Sequence, residues 1–570
     1  MPQFSETHGH VKRDSWVNSM YNSQPVKESS KQTDNRLSKK FFTALLGLLV
    51  AGFVFVVYVR TLAPTVLYYD RPILLDSVML QTQAAVLGMT GPTGEPTWVM
   101  ITHLFTKLPF GDAAYRVNLA SAVYASVTVF LVFVAGYLLS RRVAAAFAAA
   151  LAFGLGGTYW SQAVIAEIYT MNTLLIMLPL ITLILWRERR DRPRSDRYLL
   201  LACFLMGFAL TNHLTSGLVL PAAVLFVAAV DRRKLLDWKL ALKGACLFAL
   251  GLLPYVYLPI RASMNPPMNE ADPSNFARFW EFVSGSDLNG VFGMFGPVEL
   301  LGRFALYGHN LFADFHWGLV MVGVAGFMAM AVRDRPMAVL IGFLYFGWLA
   351  HALEFGIFDT KLYFIPTYLM LSLAMAVGFG FLLRAVEDLV QDSPHALAGA
   401  AVAVVSVLLA LYPLVGIGQK YEQNDMSDDY KGREILDAVI QKAERGGTVL
   451  HHRSGLFYMV LVDKDRRDLR IIDPWYPSWK RETDIVWPDD IDLVTTNLRY
   501  GTNDYTGVAT AKEAAKRGPV YILDQDSAGP HNFIEAGFKI VRVEKNILYE
   551  LVPPGGKQYT KKAESRSERG

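Results

Sequence analysis

The apolar sequence FFTALLGLLVAGFVFVVYVR occupies residues 41–60 and contains no charged residue before its final arginine. A helix needs roughly 20 such residues to cross the hydrocarbon core of a bilayer. The polar segment before it, residues 1–40, is too long and too irregular for a cleaved signal peptide. We therefore expect residues 41–60 to form a retained first membrane span and residues 1–40 to be a disordered cytoplasmic tail.

Comparable apolar runs follow along most of the chain. Hydrophobic residues make up 52% of the sequence, and they come in long blocks separated by short charged ones. The pattern predicts an α-helical polytopic membrane protein with about 11 transmembrane helices. The predicted spans are, approximately, residues 41–60, 116–139, 143–159, 168–186, 198–211, 217–230, 240–259, 317–332, 337–355, 362–383 and 396–416.

The charged residues between these runs indicate how the chain crosses the membrane. Lys and Arg cluster in every second connection, as in residues 141–142, 187–197 and 232–234. Basic connections lie mostly in the cytoplasm, so we expect a cytoplasmic N-terminus in the plasma membrane. The other connections and the end of the chain are then extracytoplasmic, and we call these connections the outer loops. A net charge of +4 distributed in this way does not indicate a nucleic-acid partner.

The composition changes after the last predicted span. An amphipathic run at residues 433–444 is followed by apolar runs at 448–450 and 520–523, with an Ala-rich helix pattern at 509–516. This alternation is typical of a small α/β domain. The predicted division is a transmembrane domain over residues 41–418, an extracytoplasmic α/β domain over 419–555 and a disordered tail over 556–570.

The first outer loop carries the acids Asp70, Asp76 and Glu95. A carboxylate at the edge of the hydrocarbon region is costly unless it is solvated, paired or used. Asp76 and Asp70 are candidates for a general base, which must come within hydrogen-bond reach of an acceptor hydroxyl. Asp70 fits an ion pair with Arg71 equally well, and Asp76 with Ser77 also fits a helix cap. For Asp76 we favour the catalytic interpretation, and Glu95 is a candidate substrate-binding residue.

Two further outer turns place polar residues where helices re-enter the membrane. Glu167 and Tyr169 begin one such helix, whereas Asn212 and His213 form a very tight turn. A histidine in that turn can bind a phosphate or a sugar hydroxyl, or it can satisfy the carbonyls of two helix ends. Glu167 can bind substrate or complement a helix dipole. We take all four as candidate substrate-binding residues.

The fourth outer loop opens with Arg261 and contains Asn269, which we also take as candidate substrate-binding residues. A guanidinium can hold two phosphate oxygens at once, so Arg261 is the candidate ligand of a lipid-linked phosphate. The alternative is an interfacial anchor. At the last outer turn, Asp359, Lys361 and Tyr363 either complete the wall of the pocket or form an ordinary surface ion pair.

Several of these residues lie in motifs that cover most of the membrane part. The motifs are RTLAPTV at residues 60–66, DS at 76–77, the turn 88–96, LPFGDAAYRVN at 108–118, residues 160–169, NH at 212–213, residues 257–261 with Asn269, and YFIP at 363–366. In these motifs the chain resembles a family of bacterial membrane proteins related to transmembrane protein 260, a protein O-mannosyltransferase. Residues 468–479 are similar too, but less specifically.

The resemblance implies a GT-C glycosyltransferase. Such an enzyme takes a sugar, mannose among the candidates, from a polyprenyl-phosphate carrier and passes it to an extracytoplasmic protein hydroxyl or cell-envelope glycan. An acidic residue of the first outer loop acts as base, and Asp76 occupies the matching position. A single displacement with one base would invert the anomeric configuration. In this scheme Arg261 and His213 stabilise the charge of the departing phosphate.

Two departures from the family pattern leave the chemistry open. The family often has Asp-Ser-x-Glu where this chain has Met79, and His-Pro-x-Gly-Tyr-Pro where this chain has Gly91 and Glu95. Either Asp70 or Glu95 supplies the missing acid, or this member has altered chemistry or none.

Two rival functions and one cofactor also stay open. A transporter or flippase of lipid-linked substrates would place polar residues at mid-membrane depth in several spans. A non-catalytic relative would use its outer domain to bind a partner. No cofactor is certain, but a divalent cation fits the oxygen ligands of Asp70, Asp76 and Glu95, although no spacing in the sequence requires a metal site.

Overall fold

The computed structural model describes residues 30–68, 75–269, 272–357, 359–474, 507–523 and 529–559. The first part is a bundle of α-helices, and the last part contains a five-stranded sheet. The helices before the sheet are α1 Ser30–Arg60, α2 Leu75–Val86, α3 Pro96–Phe105, α4 Ala113–Ser140, α5 Val143–Gly154, α6 Gly157–Ala163, α7 Tyr169–Arg189, α8 Asp196–Leu210, α9 Val219–Asp231, α10 Arg233–Leu236, α11 Trp238–Gly251, α12 Tyr257–Ser263, α13 Phe276–Ser284, α14 Pro297–Arg333, α15 Arg335–Glu354, α16 Ile365–Leu389, α17 His395–Leu411 and α18 Ile417–Asn424.

The length and hydropathy of these helices identify a multi-pass integral membrane protein, as predicted. Within the described residues, eight helical segments are long and apolar enough to cross a bilayer, or ten if each of two bent helix pairs is one span. The remaining predicted span, residues 198–211, corresponds to α8, whose 15 residues are fewer than the roughly 20 of an ordinary span. Helix α1 begins at Ser30, so part of the predicted tail is helical, whereas residues 1–29 lie outside the described part.

Two breaks interrupt predicted spans, and a third separates a predicted span from the helical segment before it. Helices α5 and α6 meet at an angle of 67°, so the predicted span over residues 143–159 is a bent pair. Helix α11 and the segment Leu253–Ser263 meet at 41° beside Pro254, which has no amide hydrogen to continue an α-helix. Within α14, His316 adopts φ 53° and ψ 161°, which separates the predicted span 317–332 from the helical segment before it.

The long helices α14 and α16 pack most closely at two facing glycines. A Cβ atom on Gly326 would lie 1.9 Å from the carbonyl oxygen of Ala374, and one on Gly378 would lie 2.1 Å from that of Val322. Only glycine permits such an approach of two backbones. Close contact between small residues is a principal source of helix association in lipid, where apolar side chains gain little by leaving the bilayer.

The basic connections lie together at one end of the bundle. Arg142 donates to both carboxylate oxygens of Glu387 at 2.5 and 2.6 Å, and Arg187 Nη1 lies 2.5 Å from Asp334 Oδ2. The alternating helices carry the other connections to the opposite end. We call this opposite end the loop end, and it is formed by residues 61–68, 87–112, 164–168, 211–213, 355–357 and 359–360.

The C-terminal α/β domain contains a mixed sheet in the order β2-β1-β3-β5-β4, in which β2, β1 and β3 are parallel and β5 and β4 are antiparallel to their neighbours. The predicted helix at 433–444 and the predicted strands at 448–450 and 520–523 are all present. The elements are α19 Lys431–Lys442, β1 Thr448–Leu450, α20 Leu456–Tyr458, β2 Arg470–Ile472, α21 Val508–Ala515, β3 Val520–Leu523, α22 Gly529–Glu535, β4 Lys539–Glu544 and β5 Leu548–Val552.

This domain is seated on the loop end of the bundle. Gly432 approaches the first loop so closely that a Cβ atom there would lie 2.1 Å from the carbonyl oxygen of Val66. Arg433 Nη2 lies 3.2 Å from Asp112 Oδ2, at the start of α4. One buried apolar cluster spans the two parts and includes Val66, Met79 and Ala114 of the bundle and Leu436, Leu456 and Tyr458 of the domain.

Candidate active site

Two buried amide side chains fix the first loop. Asn118 Nδ2 donates to the carbonyl oxygen of Ala63 at 3.0 Å, and Gln81 Nε2 donates to Asn118 Oδ1 at 2.9 Å. Gln81 Oε1 accepts a hydrogen bond from the Leu67 amide at 3.0 Å. These bonds join the loop to α2 and α4, so the start of α2 has a defined position. Asp70, a predicted base, lies outside the described residues.

Helix α2 places two adjacent residues in different surroundings. Asp76 is in its first turn with 61% of its side chain exposed, where a carboxylate complements the helix dipole. Ser77 is buried and donates its hydroxyl hydrogen to Glu167 Oε1 at 2.7 Å. Asp76 Oδ1 instead lies 3.1 Å from Nη1 of Arg453, a residue of the α/β domain. Three segments that are distant in sequence therefore meet at the start of α2.

Glu167 is enclosed beneath this helix, with only 3% of the residue exposed. Its carbonyl oxygen accepts a hydrogen bond from Trp98 Nε1 at 3.1 Å, and its amide donates to Ser121 Oγ at 3.2 Å. Burial, followed by the negative charge of Asp76, raises the pKa of Glu167 well above its ordinary value. This carboxyl group therefore holds a proton far more strongly than an exposed glutamate.

Asp359 approaches the same place from the turn before the short helical segment Thr360–Phe364. Burial, followed by the charge of Asp76, raises the pKa of Asp359 to about 6, and Lys361 opposes that shift. The charge of Asp359 in turn contributes to the raised pKa of Glu167. Asp76, Glu167 and Asp359 thus share one site, which we call the acidic pocket.

Three rings form a cluster beside the acidic pocket. The ring centres of Tyr169, His213 and Tyr363 are each 5.9 Å from the other two. The Thr215 amide, which can only donate, lies 3.3 Å from His213 Nδ1, so the proton of the neutral ring is on Nε2. Burial, followed by the charge of His351, lowers the pKa of His213 to about 3. His213 can therefore donate a hydrogen bond at neutral pH but carries no positive charge.

Several buried polar atoms near these rings have no hydrogen-bond partner within the described part of the chain. They include both side-chain amide atoms of Asn212 and Nε2 of His351. An unpaired buried polar atom costs about 1–3 kcal/mol, and native structures rarely leave one without a reason. A polar ligand such as a sugar would supply the missing partners.

Arg261 and Asn269 lie at the other end of α2. Arg261 donates from Nε to the Leu87 carbonyl at 2.9 Å and from Nη2 to the Val86 carbonyl at 3.1 Å. Along the axis of α2 these carbonyls are about 15 Å from Asp76. The structure therefore does not bring Arg261 and Asp76 together. Asn269 is buried, and its Oδ1 has no partner among the residues described here.

Glu95, another predicted substrate-binding residue, closes its own turn. It precedes α3 with φ 31° and ψ 50°. The Thr90 hydroxyl donates to Glu95 Oε2, and the Thr93 amide donates to Oε1 at 3.3 Å. The carboxylate thus organises the loop in which it lies, and any contact with substrate would be additional to these bonds.

The described residues contain no group of three or more His, Cys, Asp or Glu side chains arranged to hold a metal ion. Asp76 and Glu95, two of the three acids considered as ligands of a divalent cation, instead contact Arg453 and the turn 90–93, respectively. The third, Asp70, is outside the described part.

The sequence did not identify Arg453. It is 377 residues from Asp76 in the sequence. A weak signal is present in Asp473, which directly follows the apolar strand β2 and lies within the stretch of weaker resemblance. Polar residues at the carboxyl ends of parallel strands are a common feature of α/β binding sites.

Comparison with known sequences supports the predicted resemblance. Residues 76–236 match the family model of the protein O-mannosyl-transferase TMEM260 N-terminal domain. The chain is 30% identical over 192 residues to protein O-mannosyl-transferase TMEM260 of Mus musculus. This alignment covers 33% of the chain and 27% of the mouse protein, so it spans about a quarter of that relative.

Comparison with solved structures confirms the GT-C-like fold. ArnT from Cupriavidus metallidurans, bound to undecaprenyl phosphate, superimposes with a TM-score of 0.58 at 14% identity, covering 88% of this chain and 97% of ArnT. The oligosaccharyltransferase AglB from Archaeoglobus fulgidus, in complex with an inhibitory peptide and a dolichol-phosphate, gives 0.51 at 13% identity, covering 85% and 70% of the two chains. At such identities the likeness concerns the fold alone.

Proposed function

We propose that this protein is a membrane glycosyltransferase that transfers a sugar from a polyprenyl-phosphate carrier to a hydroxyl group of an extracytoplasmic protein or glycan. Mannose is the sugar to test first, because the matched sequence relative is a protein O-mannosyl-transferase. In this proposal the N-terminus is cytoplasmic, and the loop end and the α/β domain face the outside. The GT-C-like fold and the match over residues 76–236 support the proposal.

The observation that carries the proposal is the pair of carboxyl groups at the start of α2, namely that of Asp76 and that of Glu167, which accepts a hydrogen bond from the adjacent Ser77. Asp76 is exposed at the mouth of the acidic pocket, whereas Glu167 is buried behind it and holds its proton strongly. Asp76 takes the proton of the acceptor hydroxyl, and the oxygen attacks the anomeric carbon as the bond to the carrier phosphate breaks. One displacement at that carbon inverts its configuration. The Nε2 hydrogen of His213 is a hydrogen-bond donor for the bound donor substrate, and so is Glu167 whenever its carboxyl group holds a proton.

Phosphate binding by Arg261 stays a prediction, and it requires a change in the hydrogen bonds that Arg261 makes. Its guanidinium already donates to the Val86 and Leu87 carbonyls. To bind the carrier phosphate it would have to share or exchange these acceptors. Binding of the sugar is proposed for the unpaired atoms of Asn212 and for the ring cluster of Tyr169, His213 and Tyr363.

The transporter alternative predicts polar groups at mid-membrane depth. The acidic residues of this pocket lie instead at helix ends: Asp76 at the start of α2, Glu167 just before α7, and Asp359 just before Thr360–Phe364. This placement favours chemistry at one face of the membrane over passage through it.

The test is sugar transfer by membranes that contain the wild type, Asp76→Asn or the control Glu422→Gln, which changes an exposed acid of α18. Polyprenyl-phosphate mannose labelled in the sugar is the donor, and a peptide rich in Ser and Thr is the acceptor. Mass analysis of extracytoplasmic glycans, with and without the gene, covers other sugars and acceptors. Asp76→Asn should abolish transfer at unchanged expression, and full activity in that variant would refute the assignment of Asp76.

A further inference from the structure

Arg453 stands where the α/β domain faces the acidic pocket. Strands β1 and β2 are parallel neighbours, and their carboxyl ends lead into residues 451–454 and Asp473, respectively. The His451 amide donates to the carbonyl oxygen of Ile472 at 3.0 Å, which keeps the two strand ends together. The carboxyl edge of this sheet therefore points the 451–454 loop at the start of α2.

The loop is fixed by its own hydrogen bonds. His451 Nδ1 accepts from the Ser454 amide at 3.2 Å and lies 2.9 Å from Ser454 Oγ. The Arg453 amide donates to Asp473 Oδ2 at 2.8 Å, and His452 Nδ1 lies 3.2 Å from Asp473 Oδ1. Burial alone would raise the pKa of Asp473, but its bonds with His452 and the Arg453 amide keep that pKa below its ordinary value. An ionised Asp473 thus anchors the loop.

The backbone of Arg453 supports a special role for this residue. Its φ of 40° lies in the left-handed region, which a residue with a side chain seldom adopts. Such conformations cost about 1–3 kcal/mol and persist only where the surroundings impose them, often at functional sites. Here the imposed conformation directs the side chain across the boundary between the domain and the bundle, to Asp76.

The two partners of this contact differ in exposure. The Arg453 side chain is 17% exposed, whereas that of Asp76 is 61% exposed. A mostly enclosed guanidinium 3.1 Å from one oxygen fixes the orientation of the carboxylate through a charge-assisted hydrogen bond. Most of the carboxylate stays open for an acceptor. Within the described part of the chain, Arg453 is the cation that contacts Asp76.

We infer that Arg453 is a positioning residue of the transfer reaction, which orients the Asp76 carboxylate toward the acceptor, and that the α/β domain is thereby part of the active site. This inference rests on the proposed function. A displacement of about 1 Å of a catalytic group can lower a rate about 100-fold. We therefore expect loss of Arg453 to reduce kcat roughly 10- to 100-fold, with little change in the KM for either substrate.

The experiment compares Arg453→Gln, Arg453→Lys and Arg433→Gln with the wild type, using purified full-length protein and a donor and acceptor that support transfer. Arg433 is a matched control, because it forms an ion pair across the same boundary, with Asp112, away from the acidic pocket. We expect Arg453→Gln to lose kcat, Arg453→Lys to recover part of it and Arg433→Gln to keep kcat within about twofold. Melting temperatures should fall at least as much for Arg433→Gln, because its guanidinium also pairs with Asp463.

The outcomes separate the inference from the proposed function. If the wild type is inactive with every donor tested, the proposed function fails and the inference fails with it. If the wild type is active and Arg453→Gln keeps full kcat, only the inference is overturned. A higher KM for the donor at unchanged kcat would also overturn it, because Arg453 would then bind the carrier phosphate. Equal losses of kcat in Arg453→Gln and Arg433→Gln would overturn it as well, because Arg453 would then only help to hold the domain on the bundle.

Discussion

Replacing Gly432 by alanine tests whether the α/β domain is seated on the bundle as described. A Cβ atom at this position would lie 2.1 Å from the carbonyl oxygen of Val66 and 2.7 Å from that of Leu67. Both obstacles are backbone atoms of a loop that Asn118 and Gln81 hold in place. The strain therefore cannot be relieved by a side-chain rotation, and helix α19 has to move away from the loop.

The size of the movement follows from the distances. Real Cβ atoms essentially never approach another heavy atom closer than 3.0 Å, so α19 must retreat by about 1 Å. Overpacking of this kind costs about 1–3 kcal/mol. The same retreat would lengthen the bond between Arg433 and Asp112, which now measures 3.2 Å, and would disturb the contact between Arg453 and Asp76. Gly432→Ala should thus lower both stability and transfer activity.

The measurement is the melting temperature of the purified protein, together with the rate at which trypsin cuts between the bundle and the α/β domain. Gly418→Ala is the control, because Gly418 lies in helix α18 and has no atom within 4 Å of its would-be Cβ. Alanine there should be neutral or stabilise by up to about 1 kcal/mol. If Gly432→Ala has the same melting temperature and the same rate of trypsin cleavage as Gly418→Ala, the domain is not seated on the first loop in this way.

Three further predictions concern other parts of the structure. Met79→Glu should lower the melting temperature by several degrees rather than add a second base. The reason is that Met79 is 4% exposed and lies in the apolar cluster shared with the α/β domain. A Met79→Glu enzyme that is as stable as the wild type and faster would contradict this prediction. The wild type should lose stability as the pH rises from about 4 to about 6, and Asp359→Asn should not show this loss. The reason is that the folded state binds the proton more tightly than the unfolded state, and the values of about 6 and 3.8 limit the effect to about 3 kcal/mol. An unchanged pH profile of thermal unfolding in Asp359→Asn would contradict that. Gly326→Ala should prevent accumulation of folded protein because its Cβ would overlap the Ala374 carbonyl, whereas Gly52→Ala, which has open space, should accumulate normally on size-exclusion chromatography.

The sequence predicted the membrane architecture well because hydropathy is a local property. Each apolar run of ordinary length became a helix at nearly the predicted position, as in Ala113–Ser140 and Arg335–Glu354. The bends inside the predicted spans 143–159 and 240–259 were not predicted, because bending an apolar run leaves its composition unchanged. The helical segment before His316, which begins at Pro297, was not predicted either, because it carries charged residues such as Glu299, Arg303 and Asp314.

The candidate site could be predicted only in part. Asp76, Glu167 and Asp359 were singled out because an acid at the end of an apolar run needs a reason, and the structure places all three in the acidic pocket. Arg261 was assigned to the carrier phosphate on the same reasoning, yet the structure gives its guanidinium the carbonyls at the end of α2. The type of a residue and its position at the end of an apolar run indicate that its charge has a partner or a function. The identity of the partner depends on tertiary contacts, which the sequence alone does not give.

The three carboxyl groups of the acidic pocket differ in their burial more than in their chemistry. Asp76 lies at the exposed mouth, Asp359 is partly buried with a pKa raised to about 6, and Glu167 is enclosed with a pKa raised well above its ordinary value. Burial thus raises the pKa of both enclosed members, Asp359 and Glu167. Neighbouring groups whose environments separate their pKa values are suited to opposite roles as acid and base. The α/β domain places the guanidinium of Arg453 against Asp76, the exposed member of the set, so the arrangement of the site depends on the seating of the domain as well as on the bundle.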